Sequence, residues 1–305
     1  MSKKNILIFG ASGILGSALV SELNAASHSV SAPPHSEVDI TDLERISAAA
    51  KKVKPDVIVN AAGFTAVDRC EKKQKLAFKV NAEAAGILAR AAKEAQAVIF
   101  QISTDYIFPG DKQGEYLETD APGPLNIYGK SKLFGEDLVR KESNRYCIIR
   151  ASWLFGPGNE NFITKIIKKS RESNNKLKVV LDEIGRPTYS RDLAYVIRLA
   201  LERELVGIYH FCNKGAVSWF EYAAELFKLM GKSPKLVPVS AEDYGLPAKR
   251  PKNSTLSTEK IEKALGLSIR HHQEAVRDYL SLLGLLAQNS KRKIRGKSRG
   301  AGGQE

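Results

Sequence analysis

Very little in this sequence could bind a metal or cross-link the chain. Three cysteines, Cys70, Cys147 and Cys212, are scattered over 305 residues without a CxxC pair, and their odd number excludes a complete disulfide framework. They read as reduced packing residues. Five histidines form no HxxxH or HExxH pattern, and the adjacent His271 and His272 point to different faces of a helix, so no metal is expected. Long apolar runs are missing too. None approaches the roughly 20 residues of a membrane-spanning helix, and the run in MSKKNILIFG stops at Gly10, too early for a secretory signal. A cytoplasmic protein without membrane insertion is expected. Acidic residues are the minority, 34 against 47 Lys and Arg, giving a formal charge of +13. Six of those cations and one Glu sit in the last 18 residues, QNSKRKIRGKSRGAGGQE, which have nothing to bury and read as a disordered tail. The remaining +8 is mild and suits an anionic small substrate, so nucleic acid is not an expected partner.

The chain is rich in alternation. Short β-rich runs, NILIF (5–9), HSVSA (28–32), DVIVN (56–60), AVIFQIS (97–103) and YCIIR (146–150), are separated by helical patterns. That rhythm predicts an α/β fold, a doubly wound parallel sheet of the Rossmann type. Thr41 with Glu44 predicts a capping box for a helix through Lys52, and Asn81 the start of the Ala-rich helix AEAAGILARAAKEA. After Ala151 the rhythm loosens into helices near 161–172, 190–203, 218–230, 257–264 and 271–285 with longer connections. The expected division is a dinucleotide-binding domain over 1–152, a smaller α+β substrate lobe over 153–287 with segments returning to the first domain, and the tail 288–305.

GASGILG, residues 10–16, follows the first strand and opens a helix near Ile14. Gly10 suits a tight turn, Gly13 the approach of a pyrophosphate, and Gly16 close helix–strand packing; the helix N-terminus supplies N–H donors and dipole. Ser12, Gly13, Ile14 and Leu15 are therefore candidate cofactor contacts. The acid expected at the end of the second strand is missing, because Pro33, Pro34, His35 and Ser36 stand there. Asp39, followed by Ile40, comes later, beyond a short extra strand, and is either an acceptor for the adenine amino group or a turn acid beside Thr41. NAAG ends the third strand, and Ala61, Ala62 and Gly63 bring bare backbone toward a cofactor or simply pack closely.

Tyr128 and Lys132, in YGKSK, are four apart on one helical face. An ammonium beside a phenol lowers its pKa and makes it a proton donor and acceptor near neutrality. They lie one loop beyond ISTDYIFPG (102–110), where a buried strand ends in the polar residues Ser103, Thr104 and Asp105.

With GASGILG, VDITD at 38, NAAGFTAVDRCE at 60, ISTDYIFPG at 102, NIYGKSKLFGE at 126, IIRASWLFGPGNENF at 148, LDEIGRPTY at 181 and RPKNSTLST at 250, the chain resembles the extended short-chain dehydrogenase/reductases, specifically the dTDP-4-dehydrorhamnose reductase family. The resemblance implies NADPH- or NADH-dependent reduction of the 4-keto group of a dTDP-keto sugar, a step in making L-rhamnose donors for surface polysaccharide. It implies Tyr128 as proton donor, Lys132 as the residue that holds the nicotinamide ribose and tunes Tyr128, and Thr104 as hydrogen-bond donor to the carbonyl oxygen. It places Asp105 and Trp153 at the sugar, with Thr65, Val67 and Asp68 on a bordering loop. Arg186 and Arg250 are candidate diphosphate ligands, since guanidinium forks suit phosphate. A homodimer is a further implication. In some members it is bridged by magnesium through an acid two positions after the third glycine; Ala18 stands there, which speaks against a metal bridge here. Two alternatives remain: another nucleotide-sugar reductase or epimerase, and a non-catalytic regulatory subunit like the methionine adenosyltransferase β subunit.

Overall fold

The computed structural model describes residues 3–172 and 176–287; the basic tail expected at 288–305 lies outside the described residues. Six strands form a sheet in which every pair is parallel, in the order β10-β5-β4-β3-β1-β2. They are β1 (Asn5–Phe9), β2 (Ser29–Ser31), β3 (Val57–Asn60), β4 (Val98–Thr104), β5 (Tyr146–Ala151) and, after a long excursion, β10 (Gly207–Phe211). Strand residues alternate between two cores. Ile6, Ile8, Val57, Val59, Phe100 and Ile149 point to the side covered by α1 (Ile14–Ala25), while Leu7, Phe9, Ile58, Ile99 and Ile148 point to the other. Burial on both faces explains why these strands read as continuous apolar runs. The chain reverses between β1 and β3, so a crevice opens over the carboxyl ends of the central strands.

The second face is covered by α2 (Leu43–Val53) and by a helical run made of α3 (Val67–Lys72), α4 (Gln74–Phe78) and α5 (Ala84–Glu94), then α6 (Ile127–Glu142). Alanines of α5 pack at zero or near-zero exposure, which lets the helix lie close to the sheet. Two local expectations are corrected. Asp42, not Thr41, caps α2, its carboxylate accepting from the Glu44 and Arg45 N–H groups, while Thr41 stays in the preceding turn with its N–H on Asp39 Oδ1. The helix expected to begin at Asn81 begins earlier, and Lys79–Glu83 is a π-helical turn within it. Asn81 is instead a brace, accepting from Phe64 N at 2.8 Å and donating to Ser131 Oγ at 3.0 Å. The short strand expected ahead of Asp39 is a turn, closed by Glu37 and Val38 N–H on the Pro34 carbonyl.

Beyond β5 come three two-stranded pairings: β6 (Leu154–Phe155) with β9 (Thr188–Tyr189), β7 (Leu177–Val180) with β12 (Leu236–Val239), and β8 (Ile184–Gly185) with β11 (Val217–Ser218). Interleaved are α7 (Phe162–Glu172), α8 (Ser190–Glu202), α9 (Trp219–Leu229), α10 (Ala241–Tyr244), α11 (Glu259–Leu265) and α12 (His272–Leu282). Residues of α7, α9 and α12 bury Phe155, Tyr222, Phe227 and Tyr279 in a core of their own, whereas α8 and α11 return to the sheet through Leu193, Ile197, Ile261 and Leu265. Ser218 opens α9 with a reciprocal capping box to Glu221. Cys70, Cys147 and Cys212 are free and buried.

Candidate active site

A cavity of about 1070 Å³ lies over the carboxyl ends of β1, β3, β4 and β5, with Trp153 and Trp219 on its far wall. At one end is the turn after β1. Gly10 has φ +85°, and a Cβ there would stand 2.5 Å from the Ala62 backbone nitrogen, so only glycine lets β1 and β3 end side by side. Gly13 is the N-cap of α1 and places no side chain on the helix N-terminus, leaving that end of the 12-residue helix for an anion. Ser12, Ile14 and Leu15 line the cavity; Gly16 does not, because its missing Cβ would lie 2.0 Å from the Gly10 carbonyl oxygen, and it serves helix packing alone. The donors suit a dinucleotide pyrophosphate.

Asp39, Ile40, Ala61, Ala62 and Gly63 continue this wall. Asp39 borders the cavity, and its carboxylate accepts from Thr41 N–H at 2.9 Å as a turn acid does. That backbone bond is the main cause of its lowered pKa, with His35 and Lys79 adding positive charge nearby. Lys79 also lines the cavity near Asp39 and carried no signal in the sequence.

At the other end β4 finishes in Thr104 and Asp105, and α6 brings Tyr128 and Lys132 over them. Asn126 caps α6 by accepting from Gly129 N–H, which fixes the register of the Tyr128–Lys132 face. Gly129 is needed beneath it, since a Cβ would meet the Tyr106 carbonyl oxygen at 2.1 Å. The Thr104 hydroxyl faces Tyr128 and opposes the rise of its phenol, accepts from Tyr106 N–H at 3.2 Å and donates to Asp105 Oδ1 at 3.0 Å. Lys132 is 5% exposed and donates to the Ile102 carbonyl at 2.5 Å. Burial pulls its pKa down to about 8, opposed by the charge of Glu136 one turn on. The expected lowering of Tyr128 by Lys132 does not appear: burial pushes the phenol up, and the ammonium is turned to the strand carbonyl. Asp105 is 2% exposed, and burial raises its carboxyl to about 7.

Beneath these groups runs a buried network that composition and spacing did not expose. Glu136 accepts from Ser103 Oγ at 2.5 Å and from Arg150 Nη2 at 2.8 Å, and Arg150 Nη1 meets His210 Nε2 at 3.3 Å. Burial, then Arg150, pull His210 down to about 3, so it is neutral. Ser103 thereby ties the strand to α6. The only hint of this network was an arginine inside an apolar strand and a glutamate four residues after Lys132.

Thr65, Val67 and Trp153 also line the cavity. Trp153 has φ +45° and stacks on Trp219 at 3.4 Å and 5°, with Gly185 bare beneath it. Trp219 in turn donates to the buried Glu183 at 3.2 Å. The structure does not bring Asp68, Arg250 or Arg186 to the cavity wall. Arg250 and Asp68 spend themselves on each other in a two-pronged pair of 2.9 and 2.7 Å that clamps the segment after α10 to α3. Arg186 donates to the Leu256 carbonyl and to Glu115, bracing the loop after β8. The Arg250 fork is filled by Asp68, whereas Arg186 keeps a buried Nε without a partner, so a diphosphate would have to displace or share these contacts.

Residues 4–284 match the family described as the RmlD substrate binding domain. The chain is 38% identical to the dTDP-4-dehydrorhamnose reductase of Aggregatibacter actinomycetemcomitans over 286 residues, 90% of this chain and 97% of that one. It is also 38% identical to the spore coat polysaccharide biosynthesis protein SpsK of Bacillus subtilis, over 90% of this chain and 96% of the other. Among solved structures, dTDP-4-dehydrorhamnose reductase from Bacillus anthracis in complex with NADP superposes with a TM-score of 0.88 at 35% identity, covering 92% of this chain and 99% of that one. The UDP-glucose 4-epimerase of Thermus thermophilus, at 20% identity and TM-score 0.78, shares the fold.

Proposed function

The chain belongs to the RmlD substrate binding domain family, and from that premise we propose that it reduces the 4-keto group of dTDP-4-dehydro-β-L-rhamnose with NADPH, giving dTDP-L-rhamnose for surface polysaccharide. The observation that carries this reading is the convergence of Thr104, Tyr128 and Lys132 on the same cavity as the uncapped N-terminus of α1. The chemistry bound NADPH supplies is a hydride for sugar carbon 4. The chain's own residues do the rest. The α1 N-terminus, with Ser12 to Leu15, binds the pyrophosphate. Lys132, buried and still largely charged near neutral pH, holds the nicotinamide ribose and the end of β4 together. Tyr128 gives its proton to the carbonyl oxygen, and Thr104 hydrogen-bonds the same oxygen as negative charge develops there. Trp153, fixed by its stack on Trp219, forms the wall against which the sugar lies. The cell compartment proposed is the cytoplasm; among the described residues no helix is long and apolar enough to cross a membrane.

The test is to incubate the protein with dTDP-4-dehydro-β-L-rhamnose and NADPH. One cofactor oxidised per sugar, with dTDP-L-rhamnose as product, is expected. Interconversion without net oxidation would make it an epimerase, and no reaction would favour the regulatory reading. Tyr128→Phe should lower turnover by about 10²- to 10⁴-fold while NADPH still binds.

A further inference from the structure

Three hydroxyl-bearing or acidic groups stand in a row at the reacting end of the cavity, and their hydrogen atoms can run in only two directions. Thr104 has one proton to give and two lone pairs. One lone pair takes Tyr106 N–H at 3.2 Å. As a carboxylate, Asp105 can only accept, so the Thr104 proton goes to Asp105 Oδ1 at 3.0 Å, and the Thr104 oxygen is left with only a lone pair to turn toward Tyr128, which draws the phenol proton to it. Both reactive protons then face away from the sugar. With Asp105 neutral, its O–H donates to Thr104, Thr104 donates to Tyr128 or to the sugar oxygen, and the Tyr128 proton is free for the carbonyl.

We propose that Asp105 is a positioning residue that works as a neutral carboxylic acid and sets the direction of the Asp105–Thr104–Tyr128 chain, turning both donors toward the substrate when protonated and away from it when ionised. This rests on the proposed reductase reading and goes beyond a sugar contact. Its geometric basis is that Asp105 is 2% exposed, lies on the cavity wall, and has a buried Oδ2 without a hydrogen-bond partner. An ionised oxygen left unpaired at that depth costs far more than the oxygen of a neutral carboxyl. The Ser254 hydroxyl, 3.5 Å from the Ile184 carbonyl, also faces this carboxyl and, with Thr104, opposes the effect of burial on it. Of the titratable groups around it, Tyr106 and Tyr128 flank Asp105 from its own segment and from α6, with Lys132 one turn along. The Cys212 thiol approaches from the end of β10, with Arg186 and Glu115 beside it. Glu183 and Arg250 stand beyond Tyr106, and Arg250 is already paired with Asp68. Hydrogen bonds and no ion pair oppose the burial of Asp105, which carries its carboxyl up to about 7.

The experiment follows kcat for the keto sugar from about pH 5 to about pH 9 in wild type, Asp105→Asn, Thr104→Val and Thr104→Ser, with NADPH affinity measured alongside. Wild type and Thr104→Ser should be level on the acid side and fall by up to about tenfold per pH unit above neutrality. Asp105→Asn, whose amide can donate to Thr104 at any pH, and the slower Thr104→Val should both lose the fall centred near neutrality, whatever their level of activity, and keep only the later one set by Lys132. An alkaline fall of unchanged midpoint in Asp105→Asn or in Thr104→Val overturns the proposal. A second readout is independent of turnover. The infrared carbonyl band of a neutral carboxylic acid, in wild type minus Asp105→Asn, should be present near pH 6 and gone near pH 9. Its absence at the lower pH also overturns the proposal. Failure of wild type to reduce this sugar would instead overturn the function proposed above, and the infrared band would still decide the state of Asp105.

Discussion

Replacing Asp105 by asparagine should change how the stability of the fold depends on pH, independently of any effect on rate. Burial moves the carboxyl from its ordinary 3.8 to about 7 in the native state. An acid with a raised native pKa keeps a proton that the unfolded chain releases, so between those two values stability falls as pH rises, and above the higher one the penalty is constant. Each pKa unit corresponds to about 1.36 kcal/mol, so a shift of about three units gives a ceiling of ~4 kcal/mol. That is a large fraction of the roughly 5–15 kcal/mol that holds a domain folded. Every other titrating group is common to both proteins and cancels. The unfolding free energy of Asp105→Asn minus that of wild type should therefore climb between pH 4 and 7, at up to about 1.36 kcal/mol per unit, and then level off. Urea titrations at half-unit intervals measure it, and a constant offset from placing an amide there does not matter, because only the slope is used. Two parallel curves through that window would refute the claim that burial holds Asp105 neutral.

Other perturbations test the supports of the site. Glu136→Gln removes the carboxylate that Arg150 and Ser103 share, and leaving Arg150 buried without it should cost about 3–5 kcal/mol in urea unfolding. The same change takes away the charge that holds Lys132 up, so NADPH affinity should begin to fall at a lower pH than in wild type; an unshifted profile would show that Glu136 does not act on Lys132. Arg250→Ala and Asp68→Ala should each destabilise, with a coupling of about 1–3 kcal/mol in the double-mutant cycle and an unchanged KM for the sugar nucleotide. A raised KM with no coupling would return Arg250 to the substrate. Gly16→Ala forces its Cβ against the Gly10 carbonyl oxygen, a backbone atom that cannot swing aside, so the turn must deform and NADPH binding should weaken by at least about tenfold, read by fluorescence titration. Normal binding would mean that the turn is not the cofactor cradle.

The legibility of the site in the sequence was uneven for physical reasons. Groups that act through backbone geometry near one another in the chain were visible: the GASGILG turn after a strand, the four-residue spacing of Tyr128 and Lys132, and the polar end of β4. Groups whose role depends on a distant partner were not. Arg250 reads as a phosphate ligand in the sequence, and only the fold shows Asp68, 182 positions away, against both prongs of its fork. Trp219 and Glu183 gained their place beside the cavity only because β8 and β11 pair and bring them under Trp153. Thr41 looked like a cap because its spacing to Glu44 is right, yet the helix starts one residue later, where the Asp42 carboxylate accepts from both Glu44 and Arg45 N–H, and Thr41 N–H belongs to the preceding Asp39 turn.

By itself the sequence determined the alternation of strands and helices, the parallel sheet that follows from apolar runs buried on both faces, and the local turns that open α1 and α6. These are consequences of periodicity and of backbone freedom at single glycines, which short segments carry within themselves. Only the tertiary structure decided the protonation of the site. A pKa depends on what surrounds a group and on which hydrogen bonds remain for it. Tyr128 raised where it was expected lowered, Lys132 turned to the Ile102 carbonyl, and Asp105 buried with one oxygen unpartnered are all products of packing between β4, α6 and the segment around Ser254.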